Sequence, residues 1–217
     1  MTFDVVIFDW DGTLVDSVDH IAGSLEQAAR DLQLPVRSRE QLRHIVGLGM
    51  HEALEHLYPG ITANEVTTLR ECYAGYFFSR DTTPEDLFPG TESVLAGLKQ
   101  LNRRMAVATG KSRPGLDRGL DSSRLGSYFE VTRCANETAS KPDPMMLREI
   151  LEATGTHPER AIMVGDTIYD MEMAQRIGMP AVGVTWGVHS PEQLREHQPF
   201  EIVSDRKALQ EILLSRQ

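Results

Sequence analysis

Two carboxylates spaced two apart are the first groups in the chain that could do chemistry. Asp9 and Asp11 follow the apolar run Val5-Val6-Ile7-Phe8, and Gly12, Thr13 and Asp16 come after them. A short apolar run with β-branched members reads as a buried strand. Its carboxyl end is where open parallel sheets bind ligands. Two later runs end in the same kind of chemistry. Met105-Ala106-Val107-Ala108 delivers Thr109-Gly110-Lys111, and Ala161-Ile162-Met163-Val164 delivers Gly165-Asp166-Thr167, with Asp170 one helical turn on. In a right-handed doubly wound sheet these ends share one edge. Four carboxylates (Asp9, Asp11, Asp166, Asp170) converging there repel one another unless something compensates. A hard divalent cation with oxygen ligands is the natural compensation, and Mg²⁺ prefers few carboxylates, waters and a substrate phosphate. A hydroxyl, backbone N–H groups near Gly110 and a lysine are what a phosphate needs.

The elements that must position these groups can be read from periodicity. Between Ser17 and Leu32 apolar residues recur at three and four, one face of a helix that Ser17 can cap and Leu34-Pro35 stops. Further helical stretches are expected from Ser38 through Ile45, Met50 to Leu57, and Thr62 to Phe78, with Gly47-Leu48-Gly49 and Tyr58-Pro59-Gly60 as breaks. Residues 16–83 therefore read as helices only. After Thr83-Pro84 strands and helices alternate. Helices are expected at Thr91–Leu101, from Ser112, at Met145–Ala153, up to Ile177 and over Lys207–Leu214. Strands are expected at Met105–Ala108, Phe129–Val131, Ala161–Val164, Ala181–Val184 and Glu201–Val203. Short apolar strands alternating with helices are the mark of a parallel sheet covered on both faces. The expected fold is α/β, a doubly wound parallel sheet with an inserted all-α cap. The core is expected at 1–15 and 84–217 and the cap at 16–83.

Composition narrows the class of function. The chain has 217 residues, 41% of them hydrophobic, enough for a packed core. The formal net charge is −10 with no basic block, which argues against nucleic acid and against an anionic membrane surface. No apolar run reaches the length of a membrane span, and no signal peptide is visible, so a cytoplasmic protein is expected. Cys72 and Cys134 are far apart and lack metal-site spacing, so two reduced thiols are expected. His44, His51, His56 and His189 lack zinc-like spacing and read as ordinary surface or cap histidines. Trp10, Met145, Met146, Met171 and Met173 read as packing residues.

Taken together, Asp9-Trp10-Asp11-Gly12-Thr13-Leu14, Ala108-Thr109-Gly110-Lys111, Lys141-Pro142 and Gly165-Asp166-Thr167-Ile168-Tyr169-Asp170 resemble, in order, the four motifs of the haloacid dehalogenase-like hydrolases. The helical block resembles the α-helical cap that one subfamily inserts between the first two motifs, and the chain most resembles the phosphoglycolate phosphatase-like group. The resemblance implies a Mg²⁺-dependent phosphatase acting on a small phosphorylated metabolite. Asp9 would attack phosphorus and become an aspartyl-phosphate. Asp11 would protonate the leaving oxygen and then activate water. Thr109 and the Gly110 N–H would hold the phosphoryl oxygens, and Lys141 would neutralise their charge. The metal would be held by Asp9, the Asp11 carbonyl and Asp166, with Asp170 behind them.

The presence of Asp11 separates this chain from two branches of that superfamily. The dehalogenases lack a carboxylate there, and the phosphonate-cleaving enzymes typically have alanine. Sugar-phosphate mutases carry a lysine and an arginine in the cap where this chain has Val46 and Met50, which leaves an apolar cap face. Arg43 is a candidate substrate contact from the cap, and Lys111 is either a surface residue or a second substrate contact. The rivals are a pyrophosphatase, a phosphoglucomutase-like transferase and a non-enzymatic partner-binding protein on the same fold. The sequence leaves the individual substrate and the oligomeric state open.

Overall fold

The computed structural model describes residues 3–214; residues 1–2 and 215–217 of the expected core lie outside the described residues. Six parallel strands form one sheet: β1 (Val5–Phe8), β2 (Arg104–Thr109), β3 (Val131–Cys134), β4 (Ala161–Gly165), β5 (Ala181–Val184) and β6 (Glu201–Val203). Their order across the sheet is β3-β2-β1-β4-β5-β6. Register pairs Ile7 with Ala106 on one side and with Met163 on the other. The chain runs outward from β1 in one direction, then restarts at β4 in the other. The crevice of such a sheet opens where that direction reverses, between β1 and β4.

Side chains alternate between the two faces of each strand, so each face builds its own core. Val6, Phe8, Val107, Val164 and Val182 pack beneath α5 (Thr91–Gln100), α6 (Arg113–Ser123) and α10 (Arg206–Leu214). Ile7, Ala106, Ala108 and Met163 pack beneath α7 (Met145–Thr154) and α8 (Ile168–Gln175). Burial on both faces explains why β1, β4 and β5 read as unbroken apolar runs. Met146, Met171 and Met173 fill this core, whereas Met145 stays exposed at the start of α7.

Four helices stand between β1 and α5: α1 (Val18–Asp31), α2 (Arg39–His44), α3 (Met50–Leu57) and α4 (Ala63–Phe77). They share a third apolar cluster, separate from the two sheet faces, centred on Leu25, Ala28, Leu42, Leu54 and Leu69. Capping boxes of Ser38 with Gln41 and Thr62 with Glu65 start α2 and α4. Ser17 starts α1 without capping it. Its hydroxyl is committed to Asp11, as described below.

Two expectations are corrected. The third strand lies at Val131–Cys134, not Phe129–Val131. Phe129 follows a 3₁₀ turn, and its ring packs edge-on against Phe8 and Trp10. The true strand is the sheet edge, where Thr132 and Arg133 interrupt any apolar pattern. A short helix, α9 (Pro191–Arg195), was not expected; Ser190 and Gln193 cap it. Cys72 and Cys134 are both free thiols. Among the described residues no helix is long and apolar enough to cross a membrane.

Candidate active site

The carboxyl ends of β1, β2 and β4 bring Asp9, Thr109 and Asp166 together with Lys141, which arrives from the loop after β3. All four side chains are buried. Lys141 Nζ lies 2.9 Å from Asp9 Oδ1 and 2.7 Å from Asp170 Oδ1. The Trp10 N–H also donates to Asp9 Oδ1 at 2.6 Å. Asp166 accepts from Thr13 Oγ1 at 2.7 Å and from the Val188 N–H at 2.8 Å. Asp170 Oδ2 accepts from the Thr167 hydroxyl at 2.7 Å and from its N–H, closing the capping box of α8. Asp9, Asp166 and Asp170 each offer a carboxylate oxygen within 4.8 Å of the others.

Charge in this cluster does not balance within the protein. Three buried carboxylates face one ammonium. Burial holds Asp9 well above the usual carboxylate range, against the pull of Lys141 and with the push of Asp170 and Asp166. Burial and the neighbouring Asp170 push Asp166 up to about 7. Burial alone would lower Lys141, but Asp170 and Asp9 outweigh it and keep the ammonium charged. Asp9 Oδ2 is buried and has no hydrogen-bond partner. An unpartnered buried carboxylate oxygen among excess negative charge is a donor set suited to a hard divalent cation.

Asp11 occupies a different environment. Its Oδ1 accepts from Ser17 Oγ at 2.6 Å and pairs with Lys111 Nζ at 3.2 Å. The Lys111 ammonium also sits over the Phe77 ring, 4.5 Å from its centroid. Lys111 is therefore inside the site and not a surface residue. Asp9, Asp11, Thr109, Gly110 and Lys111 line one cavity of about 790 Å³ including its mouth. The opposite wall belongs to the helical block and includes Ile21, Leu25, Val46, Leu48 and Met50.

The helical block is seated on the sheet edge by its Gly47-Leu48-Gly49 turn. The Gly49 N–H donates to Ser140 Oγ at 2.8 Å. A β-carbon on Gly110 would collide with the carbonyls of Gly47 and Leu48. Tyr169 Oη donates to the His44 carbonyl at 3.1 Å. His189 is buried, against its expected surface place. Its Nδ1 accepts from the Ile168 N–H at 3.2 Å, so Nε2 carries the proton and donates to His44 Nδ1 at 2.9 Å. Burial, then the neighbouring His44, pushes His189 down to about 4.

Arg43, expected at the cavity, is placed elsewhere. Its guanidinium donates to Asp19 Oδ1 at 2.5 Å and reaches the Gly187 carbonyl at 3.5 Å, and it is not among the cavity's lining residues. The short helix α2 turns it away from the Gly47 turn. Sequence reasoning also passed over Thr13, Ser17, Ser140, Arg70 and Tyr73. Thr13 and Ser17 flank the Asp9–Asp11 pair, and their hydroxyls were the available signal. Arg70 and Tyr73 carry no spacing that marks them, because folding α4 over the sheet is what brings them to the cavity.

Comparison with known proteins agrees with this architecture. The profile of the haloacid dehalogenase-like hydrolases matches residues 6–184. The chain is 36% identical over 203 residues to the probable phosphatase IndB of Dickeya dadantii, covering 92% of this chain and 88% of that protein. It is 35% identical over 184 residues to the tyrosine-protein kinase PtkA of Mycobacterium tuberculosis, covering 84% of this chain but 62% of that protein. It is 31% identical over 205 residues to the phosphoglycolate phosphatase of Photorhabdus laumondii, covering 92% and 88%. The chain belongs to the haloacid dehalogenase-like hydrolase family. Within that family it falls in the phosphoglycolate phosphatase-like group, and it is a phosphatase.

Proposed function

We propose that this chain hydrolyses a small phosphomonoester through a phosphorylated Asp9, with Mg²⁺ as cofactor and residues 16–83 acting as a lid. The observation that carries the reading is the shared cavity of Asp9, Asp11, Thr109 and Gly110, with Lys141 buried behind Asp9. The bound cation would neutralise charge on the phosphoryl oxygens and on the carboxylates. Asp9 and Asp166 would hold it with the Asp11 backbone carbonyl. Asp170, both of whose oxygens are engaged by Lys141 and Thr167, would stand behind them.

An Asp9 carboxylate oxygen attacks phosphorus, and the bond from phosphorus to the leaving oxygen breaks. Asp11 gives its proton to that oxygen. Asp11 then takes a proton from water, whose oxygen attacks phosphorus, and the bond to Asp9 breaks to release phosphate. Thr109 Oγ1 and the Gly110 N–H donate to the phosphoryl oxygens, and Lys141 orients Asp9 and, with the bound cation, would favour its ionised form against burial. Closure of the Gly47–Gly49 turn onto Gly110 excludes bulk water while Asp9 reacts.

The test is phosphate release from a generic aryl phosphate with and without Mg²⁺. Turnover that requires the cation and vanishes in Asp9→Asn is expected; turnover surviving Asp9→Asn would overturn the assignment of the nucleophile. A second reading passes the phosphoryl group to an acceptor other than water, as the kinase name of one relative suggests. Phosphate release matching substrate loss favours hydrolysis. Substrate loss that outruns phosphate release favours transfer, and pyrophosphate as the preferred substrate favours the pyrophosphatase alternative.

A further inference from the structure

The lid side of the cavity is apolar except at two places on one helix face. Arg70, Tyr73, Ala74 and Phe77 of α4 all line the cavity. Their spacing of three, four and seven residues puts them on a single stripe. Phe77 marks the inner end of that stripe, because its ring lies under Lys111, which pairs with Asp11. Arg70 lies seven residues earlier, two helical turns or roughly 10 Å along the axis. Long side chains on a helix lean toward its N-terminus, which carries the guanidinium further from the carboxylates. Tyr73 stands between them, and its hydroxyl has no hydrogen-bond partner among the described residues.

Arg70 also differs from the other arginines of the helical block. Arg30, Arg39, Arg43 and Arg80 pair with Glu26, Glu26, Asp19 and Asp86, and Arg37 lies over the Tyr58 ring. Among the described residues Arg70 has neither a carboxylate nor a ring partner. A planar guanidinium left free at the end of an apolar wall presents a fork suited to a carboxylate. Arg70 is exposed, so water solvates its guanidinium at rest, and no protein anion competes there with an anionic group of a ligand.

We infer that Arg70 is a specificity-determining residue, and that the preferred substrate is a phosphomonoester whose leaving group is apolar along its length and ends in a carboxylate. The phosphate sits at Asp9, the apolar middle lies against Ile21, Leu25, Val46 and Leu48, and the carboxylate reaches Arg70. Tyr73 is placed to donate to a polar atom along the way. This deepens the phosphomonoesterase reading and rests on it. It also sets a length: a leaving group as short as that of phosphoglycolate cannot occupy both ends of a stripe two turns long.

The test is a series of ω-carboxyalkyl phosphates of increasing length, starting at phosphoglycolate, each paired with the methyl-ended alkyl phosphate of the same length. For the parent protein kcat/KM for the carboxylates should rise with length to an optimum that the methyl series lacks. At that optimum the preference for carboxylate over methyl should be about 10- to 100-fold, the scale of one charge-assisted hydrogen-bonded pair. Arg70→Ala should bring that ratio toward one, mainly through KM. Arg70→Lys should retain part of it, which a loss of helix stability would not explain. Equal turnover of carboxylate and methyl members by the parent would overturn the inference alone, as would an Arg70→Ala ratio equal to the parent's. Absence of phosphate release from both series and from an aryl phosphate would overturn it together with the phosphomonoesterase reading.

Discussion

The two walls of the cavity are built on opposite rules. The sheet-edge wall concentrates buried charge: Lys141 bridges Asp9 and Asp170, Asp166 accepts from Thr13 and Val188, and Asp170 also accepts from Thr167. The lid wall is apolar, apart from Tyr73 and an unpaired Arg70. A wall of buried charges held by one another and by fixed donors tolerates few changes. A wall of side chains in nonspecific contact can vary without touching the chemistry. On the proposed reading the sheet carries the reaction, and the helical block carries the choice of leaving group.

That division is broken most severely at Lys141. Replacing Lys141 by Met keeps the volume but leaves three buried carboxylates with no protein cation. Removing one partner of a buried ionic cluster costs about 3–5 kcal/mol. A lowered thermal midpoint is expected, recovered in part by added Mg²⁺, together with a fall in kcat of more than ~10³-fold. An unchanged midpoint with or without the cation would show that the charge is balanced in some other way.

The thiols separate the two regions by a different property. Cys134 is fully buried at the end of β3, and burial pushes its thiol up to about 12. Cys72 lies on α4, partly exposed. Burial and the nearby Asp31 raise the Cys72 thiol too, so a thiol-alkylating reagent near neutral pH should label Cys72 in the folded protein well before the fully buried Cys134, because the thiolate is the reactive form. Mass spectrometry of the labelled peptides reads this directly. Comparable rates would mean that the sheet edge opens as readily as the lid.

Where the walls meet, the effect should be smaller. In Gly110→Ala the added methyl meets the carbonyls of Gly47 and Leu48. The lid can avoid the clash by lifting, so global stability should hardly change. Catalysis should fall by about 10²-fold, the scale of a small misplacement in a reacting geometry. Faster proteolytic cleavage near Thr82 and Thr83 would show that the lid has lifted, and unchanged cleavage would assign the loss to the phosphate cradle alone.

The two walls were also unequally legible in the sequence. The strands β1, β4 and β5 are central or doubly covered, so they appear as apolar runs, and their polar ends stand out against them. The same holds for Asp9, Asp166 and Asp170. By contrast β3 is an edge strand whose middle is the polar pair Thr132-Arg133, and periodicity misplaced it onto Phe129, whose ring packs against the core. Ser17 has the right type and position for an N-cap, but its hydroxyl is turned to donate to Asp11, and its oxygen accepts from none of the first N–H groups of α1. His189 and Lys111 gave no sign of burial, because long-range docking buries them. Arg70 and Tyr73 share a helix face by spacing alone, but only the fold turns that face toward the cavity.

Arg43 is the sharpest case, because adjacency in sequence pointed the wrong way. It lies four residues before the Gly47 turn, and that turn does touch the phosphate loop. Yet its guanidinium is held by the exposed Asp19 and by the Gly187 carbonyl, outside the cavity. Solvent screens such a pair, which is worth about 0–1 kcal/mol. Arg43→Ala should therefore change the thermal midpoint slightly and leave kcat/KM for every member of the two phosphate series within about twofold. Arg43 and Arg70 then form a controlled comparison of two lid arginines with the same charge. If Arg43→Ala abolished the carboxylate preference and Arg70→Ala did not, substrate selection would lie on α2 and not on α4. If neither did, the lid would select by shape alone.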